Sequence, residues 1–403
     1  MGTLGPERHA RAAPAAARRR RVARCGRRAA AHAGCCPLEV GSRSLSDSLR
    51  HIGISFGRVE HWYDGLGEYS QRLGQELVAR AAALRAEHGI VLHLHLPRRW
   101  HGRFGPDVGY LANHTLQRLV HWRATRFALW HVLHQHIRLR PPLGTRACIE
   151  TVHDLNFLHT KHGAKLERYR ARYRRRLAQR QCLVAISEHV AADIRREMAP
   201  CVVPLKVIHN GVADLSQAPR EPVAELAGGP PFLLHVSRMA PSKNIVALVA
   251  LAAAWPEQRF VFAGADGPYV AEVRRMLAER LVSNVRIALD VSEAQKAWLY
   301  ASCRGLLFPS LAEGFGLPPV EAMCFGKAVF LSRLTSLPEV GGDAAYYFDA
   351  FDGAAMRATV EAGLARHTVQ RAAQAVAQAH RFGWSRCADA YVQLYLRLLP
   401  PPS

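Results

Sequence analysis

From residue 51 onward, the apolar positions alternate between short unbroken runs and longer stretches with helical spacing. The run His51-Ile-Gly-Ile-Ser-Phe56 predicts a first strand, and Tyr69, Leu73, Leu77 and Leu84 mark one face of a helix over 69–84. Residues 90–96 and 148–152 read as further strands, and 164–178 reads as a helix. A strand over 184–186 then leads into a helix opened by Ser187, a residue type that caps helix starts. Asn210-Gly211 closes this half with a turn. The stretch 216–231 holds four prolines and two adjacent glycines, which makes it a linker.

The second half repeats the rhythm. Strands are expected at 232–236, 259–263, 285–289 and 305–308, with helices at 244–254, 269–281, 294–300 and 319–325. Regular strand–helix alternation predicts an α/β protein with a parallel, doubly wound sheet in each half. In such sheets ligands bind outside the carboxyl ends of the strands.

Length supports the division, since 403 residues exceed what one hydrophobic core usually serves. The boundaries expected are a basic, disordered tail over 1–48, a first domain over 49–218, a second over 219–383 and a closing helix over 384–403. No apolar run reaches the roughly 18 residues that a membrane span requires. The net charge of +22 is mostly arginine, because only six of the 54 cations are lysine. Residues 1–50 contribute eleven arginines against Glu7, Glu39 and Asp47. A basic excess favours anionic partners, whether phosphorylated substrates, a lipid surface or nucleic acid. The nine cysteines are scattered without a CxxC pair, which argues against a disulfide framework and fits a reducing cytoplasm.

The chemistry concentrates at strand ends. In Phe308-Pro-Ser-Leu-Ala-Glu-Gly-Phe-Gly-Leu-Pro-Pro-Val-Glu-Ala-Met323, a strand exits into a glycine loop and a helix begins at the proline pair. Gly314 and Gly316 let backbone amides approach a ligand, and Glu313 and Glu321 suit vicinal hydroxyls. On spacing alone, a capped helix with two solvated acids accounts for the same pattern. Arg238 and Lys243 stand between a strand and a helix start, a setting suited to an anion. His153 ends one expected strand, Gly65 and Gly67 follow the first strand, and His134-Gln135 follows another. No Asp-x-Asp, HExxH or GxxxxGK[ST] pattern occurs, so neither a metal site nor a P-loop is expected.

Glu313 and Glu321, with Gly314-Phe315-Gly316 between them, resemble the E-x7-E signature of retaining family 4 (group 1) glycosyltransferases of GT-B fold. The segments 235–244 and 326–343 are similar to the neighbouring blocks of that family. The resemblance implies two Rossmann-like domains facing a cleft and a nucleotide-diphospho-sugar as donor, with no cofactor and no metal. It implies that Arg238 and Lys243 hold the diphosphate, that Glu321 holds the ribose, and that Glu313 holds the hexose with Gly314, Phe315, Gly316 and Leu317. Gly65 and Gly67 would approach the donor phosphate, and His153 would lie near a donor-sugar hydroxyl. His134, Gln135 and Asp154 would face the acceptor. It further implies transfer of a hexose, with mannose the expected sugar, to a glycan or lipid-linked acceptor in lipopolysaccharide or surface-polysaccharide synthesis. Two other classes are open, a nucleotide-sugar-binding protein without turnover and a nucleic-acid-binding protein suggested by charge alone. Nucleic acid is not the expected partner. Residues 161–180 are crowded with Lys and Arg against Glu167, and Leu166, Tyr169, Tyr173 and Leu177 form an apolar stripe. That helix is expected to meet anionic lipid on the inner face of the plasma membrane, or else to be a solvated helix.

Overall fold

The computed structural model describes residues 49–60, 62, 65–200 and 203–399. The basic segment 1–48, Asp64 and residues 400–403 lie outside them. The first lobe opens with β1 (Arg50–Ser55), α1 (Gly65–Ala79), α2 (Ala81–His88) and β2 (Ile90–Leu96). It continues through β3 (Gly109–Ala112), β4 (Phe127–Val132) and β5 (Ala147–Val152). Next come α3 (Phe157–Thr160), α4 (Gly163–Leu177), β6 (Cys182–Ala185), α5 (Glu188–Met198) and β7 (Leu205–Val207). These strands form a seven-stranded sheet in the order β3-β2-β1-β4-β5-β6-β7, every pairing parallel.

The second lobe runs β8 (Phe232–Val236), α6 (Ile245–Ala253), β9 (Arg259–Gly264), α7 (Pro268–Glu279) and β10 (Val285–Leu289). It then adds α8 (Glu293–Ser302), β11 (Gly305–Phe308), α9 (Leu317–Cys324), β12 (Ala328–Ser332), α10 (Leu337–Gly341) and β13 (Tyr346–Phe348). Three helices close the chain, α11 (Gly353–Ala365), α12 (Val369–Ala379) and α13 (Trp384–Leu398). The second sheet has the order β10-β9-β8-β11-β12-β13 and is also parallel. Strands β6, β8, β11 and β12 are buried at every position, which is why they read as unbroken apolar runs rather than alternating ones.

Both sheets reverse strand order once, between β1 and β4 and between β8 and β11. Loops leaving those four strands therefore diverge and open a crevice at each reversal. Helix α13 returns to the first lobe, where Tyr391 and Tyr395 are buried in its core. Tyr391 Oη lies 2.7 Å from Tyr69 Oη and 2.8 Å from Thr151 Oγ1, and Tyr395 Oη lies 2.7 Å from His131 Nδ1. Apolar contact also joins the lobes, since Ile186 and Val190 of one share a buried cluster with Phe315 and Leu337 of the other.

Three expectations are corrected at element level. The helix over 69–84 breaks at Arg80, whose guanidinium bonds Glu76 behind it and Ser385 and Asp389 of α13. Docking of α13 sets that break, and periodicity within the segment does not report it. The helix expected from residue 244 starts one later, because Asn244 is left-handed at φ 55° and separates a short turn from α6. Finally, the cations of residues 161–180 do not form one solvated face. Arg176 and Arg180 turn inward onto Glu150, a fully buried carboxylate of β5, at 2.5 and 2.9 Å.

Candidate functional site

The two loops at the β8/β11 reversal bring Lys243 beside the first carboxylate, Glu313. After β8, His235 is buried, and its Nδ1 lies 2.8 Å from the Leu307 carbonyl. A carbonyl only accepts, so Nδ1 carries the proton and Nε2 accepts from Ser237 Oγ at 2.7 Å. Burial pushes this imidazole down to about 4, which keeps it neutral. Thus fixed, the strand end delivers Arg238, which is exposed, and then Lys243. Lys243 Nζ lies 2.5 Å from Glu313 Oε1. The loop bearing Glu313 is tied down by Leu311 N donating to the Ser242 carbonyl at 2.7 Å and by Glu313 N donating to Thr335 Oγ1 at 3.1 Å. Ser336 Oγ donates to the Phe315 carbonyl at 2.7 Å.

Glycine is required twice here. Gly316 caps α9 at φ 106°, a region side chains rarely enter, and an added Cβ would sit 2.8 Å from Leu337. At Gly314 a Cβ would lie 2.2 Å from the His153 carbonyl oxygen, so this glycine lets the lobes touch. Ser187 Oγ donates to the Gly314 carbonyl across the same seam at 2.8 Å. The Phe315 side chain is buried against His209 and Phe382, which leaves only its backbone toward a ligand. Leu317 is the first residue of α9.

Glu321 is buried on α9 and is already engaged. It accepts from Lys296 Nζ at 2.9 Å and Tyr300 Oη at 2.6 Å. Both partners stand on one face of α8, four residues apart, and sequence reasoning missed them. Their i,i+4 spacing was the only available signal. From the first lobe, Glu68 in the opening turn of α1 approaches the same group. Burial raises its carboxyl, and the nearby Glu321 raises it further. Arg72 of α1 reaches Glu293 of α8 at 2.6 Å. Gly65 starts α1 and Gly67 is buried in its first turn.

The acceptor-side candidates also converge, at the ends of β4 and β5. Gln135 accepts from His153 N at 3.0 Å and donates to the Asp154 carbonyl at 3.3 Å. Asp154 Oδ1 accepts from Asn156 N at 3.0 Å. His134 is half-buried beside them, and burial pushes it down to about 3. His153 is itself buried, packed edge-on against Tyr69, with Nε2 3.0 Å from the Leu133 carbonyl. That carbonyl places the proton on Nε2 and leaves Nδ1 as an acceptor. Burial pushes this ring down to about 4. Among the described residues, no group of three or more His, Cys, Asp or Glu is placed to hold a metal ion.

Two parallel doubly wound lobes, with strand-end loops meeting between them, make up a GT-B fold. Residues 219–369 match the glycosyl transferases group 1 family. The serotype-specific mannosyltransferase WbdA of Escherichia coli is 33% identical over 180 residues, which is 42% of this chain and 22% of that protein. The O-antigen chain mannosyltransferase B of Escherichia coli is 33% identical over 173 residues, 41% of this chain and 45% of that one. The chain thus spans less than half the length of these relatives. Over the whole frame, sucrose-phosphate synthase from Thermosynechococcus elongatus superposes with a TM-score of 0.65 at 18% identity, covering 87% of this chain and 99% of that one. This last likeness concerns the fold.

Proposed function

We propose that the protein transfers a hexose, mannose by similarity to the two Escherichia coli relatives, from a nucleotide-diphospho-sugar to a glycan or lipid-linked acceptor, with retention and without metal. The observation that carries this reading is the ion pair of Lys243 with Glu313 at the second sheet's reversal point, where the end of β8 also presents Arg238. With donor bound, the two cations face the diphosphate and neutralise the charge that grows on it as the glycosidic bond breaks. Glu313 and the amides after it then accept and donate to hexose hydroxyls. Glu321 retains spare lone pairs beyond those used by Lys296 and Tyr300, enough for the ribose hydroxyls.

His153, neutral and with Nδ1 free of a proton, accepts from a hydroxyl of the donor sugar. None of the candidate side chains is assigned as a nucleophile, so retention is read as front-face displacement. The acceptor oxygen bonds to the anomeric carbon on the side the phosphate leaves, and the leaving phosphate takes the acceptor proton. The protein's contribution is positioning and charge stabilisation.

The test is turnover in EDTA with a panel of GDP-, UDP- and ADP-sugars. Wild type is expected to turn over a hexose donor, GDP-mannose foremost, and Lys243→Ala to lose at least about 100-fold in kcat while remaining folded. A folded Lys243→Ala protein with full turnover would remove the phosphate assignment. Activity abolished by EDTA and restored by manganese would overturn the metal-free step.

A further inference from the structure

At one end of the first lobe, five large apolar side chains stand in water within a single loop system. Leu116, Leu119, Val120, Trp122 and Leu143 are 60–71% exposed, and they are half of the ten exposed large apolar side chains among the described residues. Backbone bonds bring the two segments together, from Leu143 N to the His121 carbonyl at 2.7 Å and from Arg140 N to the Gln117 carbonyl at 2.9 Å. Beside them lies a cavity of about 710 Å³, whose wall includes Leu143 and Arg118, Arg138, Arg140, Arg172 and Arg175. None of these five arginines has an ion-pair partner among the described residues, and no Asp or Glu lines the cavity. By contrast, Arg176 and Arg180 in the same wall are paired with Glu150 behind it.

An apolar cluster of this size on a protein surface marks a contact site. Unpaired guanidinium groups around it call for anions. Four aliphatic side chains and one Trp offer little for stacking bases, so single-stranded nucleic acid fits poorly. Exposed aliphatic and Trp side chains with unpaired arginines beside them match a bilayer surface. We propose that this face docks on an anionic phospholipid bilayer, its apolar side chains entering the headgroup region and its five arginines holding lipid phosphates. The docking element is therefore the loop system 116–143 with the outer arginines of α4, rather than the whole of that helix. Gln135, which accepts from the His153 amide, lines the same cavity, so a docked bilayer lies next to the acceptor-side cluster.

Sedimentation with phosphatidylcholine vesicles containing graded phosphatidylglycerol tests this. Wild-type binding should rise with the anionic fraction and weaken as salt shortens the Debye length from about 10 Å at 0.1 M. Arg138→Gln with Arg172→Gln should weaken binding by roughly fivefold per arginine. Leu119→Ser with Trp122→Ser should weaken it while keeping the salt dependence. All four positions are exposed, so melting temperature and the shift produced by a nucleotide-sugar should not change. That second measurement keeps the result separate from the donor assignment. Three results would overturn the proposal: equal vesicle binding by wild type and both variants, binding to random oligonucleotides with none to vesicles, or a concentration-dependent dimer that the Leu119/Trp122 variant abolishes.

Discussion

Gly314 shows how much one missing methyl group decides. The lobes meet where its α-carbon faces the His153 carbonyl, and any side chain there collides with backbone, which cannot rotate away. Gly314→Ala should cost about 1–3 kcal/mol as an overpacked contact, or else part the lobes at that seam. In both cases kcat is expected to fall far more than the melting temperature, as paired activity and thermal-denaturation measurements would show. An alanine variant with wild-type kcat would mean that this contact is not used in turnover. In the sequence, Gly314 was visible as a loop glycine that admits a ligand. Its closeness to His153 was not, because those residues are 161 positions apart and belong to different lobes.

Among the elements, α4 departs most from its sequence reading. The stripe was legible, since Tyr173 and Leu177 are buried as their spacing required. The fate of the arginines was not, because Glu150 reads as one more polar residue until β5 is flanked by β4 and β6. Once there, it is a carboxylate with no exposure, held by two guanidinium groups. Replacing Arg176 and Arg180 together by Met should destabilise the protein by about 3–5 kcal/mol, because it leaves a buried charge unpaired. Urea denaturation would read this as a lower midpoint, and adding Glu150→Gln should recover part of the loss. A double-Met protein as stable as wild type would refute the role given to the pair.

At the scale of the whole molecule, acid should loosen both the cores and the joint between lobes. Burial pushes His95 and His131 down to about 3 and His153 and His235 to about 4, against 6.5 for a free imidazole. The unfolded chain binds protons at these positions before the folded one does. Their stabilisation is therefore full above pH 6.5 and declines as pH falls toward 4. Glu339 adds a second, lower step. Burial alone would raise its carboxyl, but the bond from His209 and the two-pronged bond from the Glu188 amide hold it below the usual range. Stability from Glu339 is thus present above the ordinary glutamate range and is lost as pH falls through its depressed value. Melting temperature against pH should be level above 7, decline from about 6.5, and steepen below the carboxylate range. A curve flat from pH 7 to 5 would contradict the buried, neutral histidines.

The sequence by itself determined the two alternating halves, the crevice-facing position of the loops after residues 236 and 308, and the placing of Lys243 and Glu313 in those loops. These are local properties: strand runs, glycine freedom and the charge of a strand-end loop belong to contiguous residues. Only the tertiary structure decided which groups Glu321 bonds, which arginines of α4 face water, and where five apolar side chains come together beside unpaired cations. Each of these depends on contacts between distant segments, and contact, unlike periodicity, depends on how the sheets place those segments in space.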